Sequence, residues 1–197
     1  DEQSSWEEVM LGINAPGLIK SIAGRYHNIE DYTRVFHQSN FNAELIADHG
    51  KQVILTSGSK SFAETKVIYA DPNLFSFFQI PLVEGNRDVV LNDSNAVVLS
   101  ERVAIKYFGD AHATGKTIRL NNSIPLTVTG VFEDLPHNTH LNFDVVISSK
   151  RLEGIYDDRL EITVGGPHCY YSFKNGVDID ELRQKVNIES SDLLRKA

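Results

Sequence analysis

Residues 96–120 run from a strand pattern through a helix pattern into a second strand pattern, and this order constrains the fold more than any other feature of the chain. The apolar run Val97–Leu99 is typical of a strand, and Ser100 can cap a helix that follows it. Gly109 stands where helices commonly end in a left-handed residue. One face of the predicted helix carries Val103, Ala104, Tyr107 and Phe108. A strand at Thr117–Leu120 completes the segment.

The connector between this helix and the next strand reads GDAHATGKTI and ends like a phosphate-binding loop. A loop of that kind needs a glycine at the position that Asp110 occupies, and it must leave a strand and open a helix. Here a helix precedes the loop and a strand follows it. We therefore predict a structural connector and no nucleotide site.

The remaining segments mix strand and helix patterns without regular alternation. Strand patterns occupy residues 32–37, 53–55, 66–69, 116–120, 126–132, 141–147 and 170–173. Helix patterns begin near Ser5, Asn14, Asp71 and Asp178, and residues 149–167 read as loop. Irregular mixing of this kind is typical of the α+β class, which we predict for this chain.

An aromatic patch follows one of these helix starts. Asp71 and Pro72 predict a helix with the carboxylate at its N-cap and the proline in its first turn. Phe75, Phe77 and Phe78 come next. Aromatic residues at helical spacing usually pack into a core, whereas an exposed apolar patch marks a binding site. Both interpretations stay open, and the three rings are our candidate partner contacts.

Charge and cysteine content exclude several classes of function. A net charge of −8, without a run of lysine or arginine, is unlike a nucleic-acid-binding surface. Cys169 is the single cysteine, so the chain has no internal disulfide and no zinc site built on several thiolates. No apolar run reaches the roughly 20 residues of a membrane-spanning helix. The chain starts at Asp1 without methionine, and we expect it to be an excised part of a longer protein.

His137 and His140 are candidates for a metal site. They follow Glu133 and Asp134, and these residue types can hold zinc in a metal-dependent hydrolase. The alternative is a solvated loop after Pro136, because the two histidines do not share a helix face.

His168 and Cys169 suggest a nucleophile beside its base. Adjacent residues on a strand point to opposite faces, so the two side chains cannot act on each other directly. Cys169 reads instead as a small buried apolar residue. We assign no catalytic, cofactor-binding or metal-binding residue.

A series of ordered motifs resembles a known family. The motifs are YADPNLFSFF at 69–78, PLVEG at 81–85, AVVLSE at 96–101, KYFGD at 106–110, GKTI at 115–118 and VTGVFEDLP at 128–136. In order and spacing they resemble the MacB-like periplasmic core domain of ABC transporter permeases of the MacB/FtsX type. The resemblance begins near Ile29 and continues through residues 140–144 and 171–178.

The resemblance implies the extracytoplasmic domain of a membrane-anchored permease, at the periplasmic face of the bacterial inner membrane. Such a domain is not an enzyme and holds no cofactor, because a cytoplasmic ABC ATPase domain or subunit hydrolyses the nucleotide. The domain transmits the resulting conformational change to periplasmic partners or cargo in export, efflux or lipoprotein handling. Implied partners are a second permease copy and a periplasmic adaptor or lipoprotein. An extracytoplasmic sensor that binds a ligand or peptide is the alternative.

The resemblance also implies a domain organisation. A porter-like α/β lobe maps onto residues 14–85 and 168–188, and an inserted smaller mixed α/β (Sabre-like) lobe maps onto 86–167. Residues 1–13 become an N-terminal stalk or linker, and 189–197 a C-terminal tail.

Two departures from the family pattern accompany this mapping. Relatives often place a proline where this chain has Ala113. Relatives also continue well beyond the position of Ala197, so the last strand of the porter-like lobe is either absent or trimmed away.

Overall fold

The computed structural model describes residues 6–7, 24–37, 53–136, 138–153, 167–174, 178, 180–181, 184 and 188. The strands are β1 (Trp6–Glu7), β2 (Ile29–His37), β3 (Val53–Ser57), β4 (Lys60–Glu64), β5 (Val67–Ala70), β6 (Leu82–Glu84), β7 (Ala96–Ser100), β8 (Thr117–Leu120), β9 (Ile124–Phe132), β10 (Val145–Ser148) and β11 (His168–Phe173). The helices wholly inside these ranges are α1 (Leu74–Phe77) and α2 (Glu101–Phe108), and a 3-10 turn covers Ser149–Leu152. No helix among these residues is long and apolar enough to cross a membrane.

Contacts divide the chain into two compact units, Asp1–Phe36 with Leu152–Ala197, and His37–Arg151. This division places residues 37–85 in one unit with residues 86–151. The resemblance instead assigns residues 37–85 to the porter-like lobe, together with 168–188. The porter-like and Sabre-like boundaries remain a prediction.

In the first unit, β11 lies between β1 and β2 and is antiparallel to both. Trp6 is opposite Ser172, so the helix predicted from Ser5 is wrong at Trp6 and Glu7, where pairing with β11 satisfies the backbone instead. Most of the helix predicted from Asn14 lies outside the described residues, although residues 24 and 25 are helical. The cap at Asp178 is present, since its Oδ1 accepts the N–H of Glu181 at 3.0 Å.

The second unit is built on a mixed sheet with strand order β5-β10-β7-β9-β8-β3-β4, and β6 pairs with the end of β9. β10 is parallel to β5 and antiparallel to β7, and β7 is parallel to β9. Every residue of β7 and β10 is buried, as expected for strands inside a covered sheet. A large mixed sheet with few helices confirms the predicted α+β class.

Helix α2 is confirmed where the sequence predicts it. Ser100 stands at the N-cap position, but its hydroxyl makes no capping hydrogen bond. Gly109 ends the helix with φ 78° and donates its N–H to Ile105 O at 2.8 Å. The helix packs on β7, β3 and β9. The buried face consists of Val103, Ala104 and Tyr107.

Glu64 ties helix α2 to the β3–β4 hairpin. Its Oε1 accepts the hydroxyl of Tyr107 at 2.7 Å and lies 2.7 Å from Lys106 Nζ. The same hydroxyl oxygen lies 3.2 Å from Leu55 O. Burial, then the hydrogen bond to Glu64, raises the pKa of Tyr107. The Lys106 ammonium also lies 4.4 Å from the centre of the Phe62 ring, a cation–π contact.

Three local predictions need correction. The Gly-Ser turn at residues 58–59 joins β3 to β4, a strand that the sequence did not reveal, because its residues are mostly exposed and lack apolar alternation. Asp71 is not a helix cap. Its buried carboxylate accepts the hydroxyl of Ser149 at 2.8 Å, and α1 starts only at Leu74. Finally, the strand expected at 141–147 begins at Val145 and is fully buried, because β5 and β7 flank it.

The β8–β9 hairpin is confirmed. Its turn contains Asn121 with φ 50° and Asn122 with φ 61°, and asparagine tolerates the left-handed region that tight hairpin turns require.

Candidate functional site

The three predicted contact rings do not share one environment. Phe75 has no exposed surface, and its ring lies 5.6 Å from that of Phe132. Phe77 and Phe78 are partly exposed and form an edge-to-face pair with centroids 5.0 Å apart. Phe75 is therefore a core residue, because its side of α1 faces the sheet. A contact surface can include only the other two rings, which we call the ring pair, and its binding of a partner remains a prediction.

A cavity of about 290 Å³ lies next to the ring pair. Its lining consists of Lys66, Arg102, Leu135, Pro136, Thr139, His140, Leu141, Asn142 and Phe143. The ring of Phe78 meets the imidazole of His140 edge to face, with centroids 6.3 Å apart. The ring pair therefore adjoins the cavity through His140, and we call this cavity the Phe78 cavity.

The Phe78 cavity has a basic lining on an acidic chain. Lys66, Arg102 and His140 contribute to its wall, and none of the nine described residues that line it is acidic. The whole chain has 27 acidic and 19 basic residues. The described lining therefore differs in composition from the chain average, although two carboxylates that pair with Arg102 offset much of its charge.

Arg102 is held in place by two carboxylates. Its Nη2 pairs with Asp144 Oδ1, its Nε lies 3.9 Å from Asp134 Oδ1, and its backbone N–H donates to the same oxygen at 3.3 Å. The hydrogen bond to Asp144, supported by the charge of both carboxylates, raises the pKa of Arg102. These contacts orient the guanidinium at the cavity wall.

Strand pairing brings Lys66 to the same wall. Its carbonyl accepts the N–H groups of Asp144 at 2.8 Å and of Val145 at 3.1 Å, where β5 and β10 begin. The Asp144 carbonyl in turn accepts the N–H of Ser100 at 2.8 Å. Asp144 therefore connects the strand that follows Lys66 to the helix that carries Arg102.

The described residues include only part of the metal site that was considered. His140 borders the Phe78 cavity, whereas His137 lies outside the described residues. Within the described part of the chain, no three side chains of His, Cys, Asp or Glu come together as metal ligands do. Cys169 is buried in β11, and its thiol lies 3.5 Å from Pro167 O, as suits a small buried residue.

The Gly-Lys-Thr connector uses its backbone donors on the protein's own carboxylate. Glu84 Oε2 accepts the N–H groups of Ala113 and Thr114, each at 3.0 Å, and Glu84 Oε1 lies 2.8 Å from His112 Nδ1. The hydrogen bond from Thr114, followed by that from His112, lowers the pKa of Glu84 to about 2. Donors that would hold a phosphate in a nucleotide-binding loop are thus occupied internally.

The ammonium of Lys116 also contacts groups of the protein itself. Its ammonium donates to His112 O at 2.7 Å and lies 5.1 Å from the centre of the Phe108 ring. In a phosphate-binding loop the corresponding lysine would point at the phosphates. The geometry agrees with the sequence-based interpretation of a connector.

Sequence patterns could not reveal the Phe78 cavity. Lys66 and Arg102 stand within a predicted strand and a predicted helix, and residues 135–143 were divided between a loop and the start of the strand expected at 141–147. Their convergence depends on β10 entering the sheet between β5 and β7, which is a long-range pairing. His140 was noted for metal binding and not for its contact with an aromatic ring.

Comparison with protein families gives one clear result. The family described as the MacB-like periplasmic core domain matches residues 10–188. No curated protein matches the chain significantly.

Several solved structures share the fold. A domain of a candidate permease protein from Porphyromonas gingivalis is 23% identical, with a TM-score of 0.71 over 89% of this chain and 75% of that one. The periplasmic region of MacB from Actinobacillus actinomycetemcomitans is 17% identical, with a TM-score of 0.63 over 89% and 72%. The extracellular domain of the noncanonic ABC-type transporter YknZ from Gram-positive bacteria is 12% identical, with a TM-score of 0.58 over 85% and 77%.

Proposed function

The chain belongs to the family of MacB-like periplasmic core domains, and on that basis we propose that it carries conformational change from a membrane-embedded permease to an extracytoplasmic partner. It is the periplasmic domain of a permease of the MacB/FtsX-like ABC transporter family. Family membership implies a cytoplasmic ATPase as the source of energy. The proposal adds that this domain is non-catalytic and that its partner is a second permease copy, an adaptor, a lipoprotein or the cargo itself.

The family match over residues 10–188 is the observation that carries this proposal. The architecture of the second unit supports it. Central strands β7 and β10 are buried along their whole length, and close-packed interiors transmit displacement with little compression. Helix α2 is fastened to the β3–β4 hairpin through Glu64, so these elements move together.

The ring pair supplies a surface on which the movement can act. Phe77 and Phe78 are partly exposed in a chain whose neighbouring aromatic residue, Phe75, is fully buried. Exposed aromatic rings beside a polar rim are typical of protein contact sites. We therefore place the partner contact at the ring pair.

The partner contact is tested in the full-length permease with its ATPase. The variant Phe77→Ser/Phe78→Ser should hydrolyse ATP normally but should not restore the phenotype of a strain that lacks the permease gene. Val89→Ser/Ile105→Ser is the matched control, since those side chains are 52% and 50% exposed and lie outside the ring pair. Restoration by the ring-pair variant at the wild-type level would contradict the assignment.

Transmission is tested separately by hydrogen exchange. Trapping the ATPase in its nucleotide-bound state should change the exchange of backbone amides in residues 53–136 of the full-length protein. Identical exchange in the free and trapped states would show that the domain does not follow the ATPase cycle.

A sensor of small ligands is the second candidate, and the Phe78 cavity is the observation that favours it. Ligand sites are concave and use a few polar groups to orient the ligand, and this cavity is concave with polar side chains on its wall. A saturable rise of the melting temperature with a small carboxylic acid, absent from a Lys66→Glu variant, would favour the sensor over the transmission domain.

A further inference from the structure

We propose that β4 is a dimerisation edge, at which β4 of a second copy of this chain pairs antiparallel about a two-fold axis at Phe62. The strand covers Lys60–Glu64 and is the last strand on one side of the described sheet. The inference rests on the proposed function, because the membrane assembly of the permease brings the two copies together. It assigns the second copy to β4 and leaves the ring pair to another partner.

The outer edge of β4 presents unpaired backbone groups. Within the described part of the chain, β4 pairs with β3 alone, and Ala63 lies opposite Ile54. Both backbone groups of Ile54 point away from β4, because its N–H donates to Asn121 Oδ1 at 2.8 Å and its carbonyl accepts the Asn121 N–H at 2.7 Å. Ala63 and Ile54 are therefore a non-hydrogen-bonded pair, and alternation along the ladder gives Ser61 the same role as Ala63.

The N–H and C=O groups of Ser61 and Ala63 consequently point outward, and both residues are exposed. The β3–β4 pairing has no register shift, and β4 contains no proline. Bulges and prolines are devices that keep another strand from an edge. In this condition β4 is a template on which a further strand can pair.

The sequence of β4 complements itself in an antiparallel pair, and this selects a second copy as the occupant. With Phe62 opposite its own counterpart, Ser61 of one copy lies opposite Ala63 of the other, so their outward backbone groups exchange both hydrogen bonds. Lys60 then lies opposite Glu64 at each end of the pair, and opposite charges stabilise cross-strand neighbours. A parallel pair, or an antiparallel pair shifted by two residues, loses this match.

The charges choose the register, whereas the backbone and Phe62 supply the attraction. Glu64 already has a charge partner within its own chain, since its Oε1 lies 2.7 Å from Lys106 Nζ. Lys60 Nζ donates to the carbonyl of the same lysine at 2.8 Å. The cross-strand ion pair therefore adds little affinity, but like charges opposite each other would oppose a parallel arrangement.

The ring of Phe62 is the apolar part of the proposed contact. Its side chain is 41% exposed, although its ring lies 5.5 Å from that of Tyr107. Residues opposite each other in a non-hydrogen-bonded pair have Cα atoms about 4.5 Å apart. Two Phe62 rings at the axis therefore meet and bury surface that a single copy leaves in water.

The small size of the contact explains why the membrane assembly is needed. Stable complexes of free proteins bury roughly 1,200–2,000 Å² in total, which is more than a strand of five residues provides. Two copies held in one permease instead meet at effective concentrations in the millimolar range. We therefore expect the pair in the full-length permease and a monomer for the isolated chain.

The test is disulfide formation in membranes that contain the full-length permease with its ATPase. The variant Phe62→Cys/Cys169→Ala, with any cysteine outside these 197 residues also replaced, places one thiol at the proposed axis. The expected Cα separation lies within the range that a disulfide spans. Mild oxidation should yield at least about fivefold more covalent dimer than in Ile105→Cys/Cys169→Ala, whose thiol lies on a half-exposed position of α2.

Backbone pairing is tested by adding Ser61→Pro to the Phe62→Cys variant. Proline is tolerated on an edge strand where its missing N–H faces solvent, so the domain should fold while the second copy loses a hydrogen bond. Dimer yield should fall to that of the Ile105→Cys variant, whereas Ser61→Thr, which keeps the N–H, should not lower it. Lys60→Glu tests the register independently, because it places two carboxylates opposite each other and should also lower the yield.

Three results would overturn the inference. They are equal dimer yields from Phe62→Cys and Ile105→Cys, equal yields with Ser61→Pro and Ser61→Thr, and a disulfide from position 62 to a different protein. If Phe62→Cys forms no dimer while Phe77→Ser/Phe78→Ser still abolishes function, the inference fails and the proposed function stands. If the dimer forms but trapping the ATPase leaves hydrogen exchange unchanged, the dimer edge stands and the proposed transmission fails.

Discussion

Glu84 Oε1 lies 2.8 Å from Nδ1 of His112, an exposed histidine on the connector that follows helix α2. The other oxygen of the carboxylate holds the N–H groups of Ala113 and Thr114. The conformation of the connector is therefore coupled to the charge of one residue at the end of β6.

Replacing Glu84 by glutamine should destabilise the protein by about 1–2 kcal/mol at pH 7, because a neutral amide oxygen accepts the N–H groups of the loop more weakly than a carboxylate does. The pKa of Glu84 is lowered from 4.5 to about 2, so its contribution is complete above pH 4.5 and is lost as the pH falls towards 2. The Glu84 side chain is 23% exposed, so solvent screens its charge. The loss of stability is therefore smaller than the pKa difference alone implies. Denaturation of both proteins at several pH values measures the difference, which should vanish near pH 2.

Two controls accompany this prediction. Glu133→Gln removes an exposed carboxylate and should leave stability nearly unchanged at every pH. The pKa of His112 is raised from 6.5, chiefly by its hydrogen bond to Glu84, so this pair stabilises below pH 6.5 and weakens as the pH rises through the raised pKa. An NMR titration should find a lower pKa of His112 in Glu84→Gln than in the unchanged protein. An unchanged pKa would mean that Asp110 and not Glu84 sets it.

Gly85→Ala should destabilise the second unit by about 2–4 kcal/mol. Gly85 has φ 101°, and a Cβ there would lie 2.8 Å from Thr129 O and from Val90 Cγ1. Gly109→Ala is the matched control, because Gly109 has φ 78° with no atom within 4 Å of the added carbon. Chemical denaturation should show a clearly larger loss for Gly85. Equal losses would mean that backbone strain alone matters.

Tyr107→Phe should cost about 1–2 kcal/mol, since it removes the hydroxyl that bridges Glu64 and Leu55 in the core under α2. Tyr171→Phe is the comparison, because among the described residues the buried Tyr171 hydroxyl has no hydrogen-bond partner. That variant should be neutral or slightly stabilising. Thermal denaturation compares the two variants. A similar loss of stability in both would refute the assigned role of the Glu64 contact.

Phe75→Ala should destabilise the protein by about 3–5 kcal/mol, as expected for a fully buried ring, whereas Phe77→Ser/Phe78→Ser should cost much less. Urea denaturation of the isolated chain compares them. A larger loss in the double variant would mean that the ring pair is a core element and is unsuited to a partner contact.

Local signals explain what the sequence predicted well. Helix α2 and its end at Gly109 depend on an apolar face and a left-handed residue, and both are encoded within the segment. The turn at Asn121 and Asn122 likewise depends on two residues that accept positive φ. Such elements need little information from distant parts of the chain.

Contacts between residues far apart in the chain explain the features that the sequence predicted poorly. Asp71 had the chemistry of a helix cap, but its carboxylate accepts a hydrogen bond from the hydroxyl of Ser149, 78 residues away. The aromatic patch was read as one unit, yet Phe132 across the sheet determines that Phe75 is buried. Glu84 stood in the motif PLVEG without a predicted role, because its role comes from a loop that meets it only in the folded state.

The position of β10 has a consequence for biosynthesis. Among the described strands of the second unit, β10 is the last to leave the ribosome, yet it lies between β5 and β7, which are made much earlier. Neither earlier strand can acquire this neighbour until residues 145–148 have emerged, so the sheet closes late and over a long sequence separation. A nascent chain that stalls before Val145 would therefore expose two apolar strands, and it would depend on chaperones for protection until translation resumed.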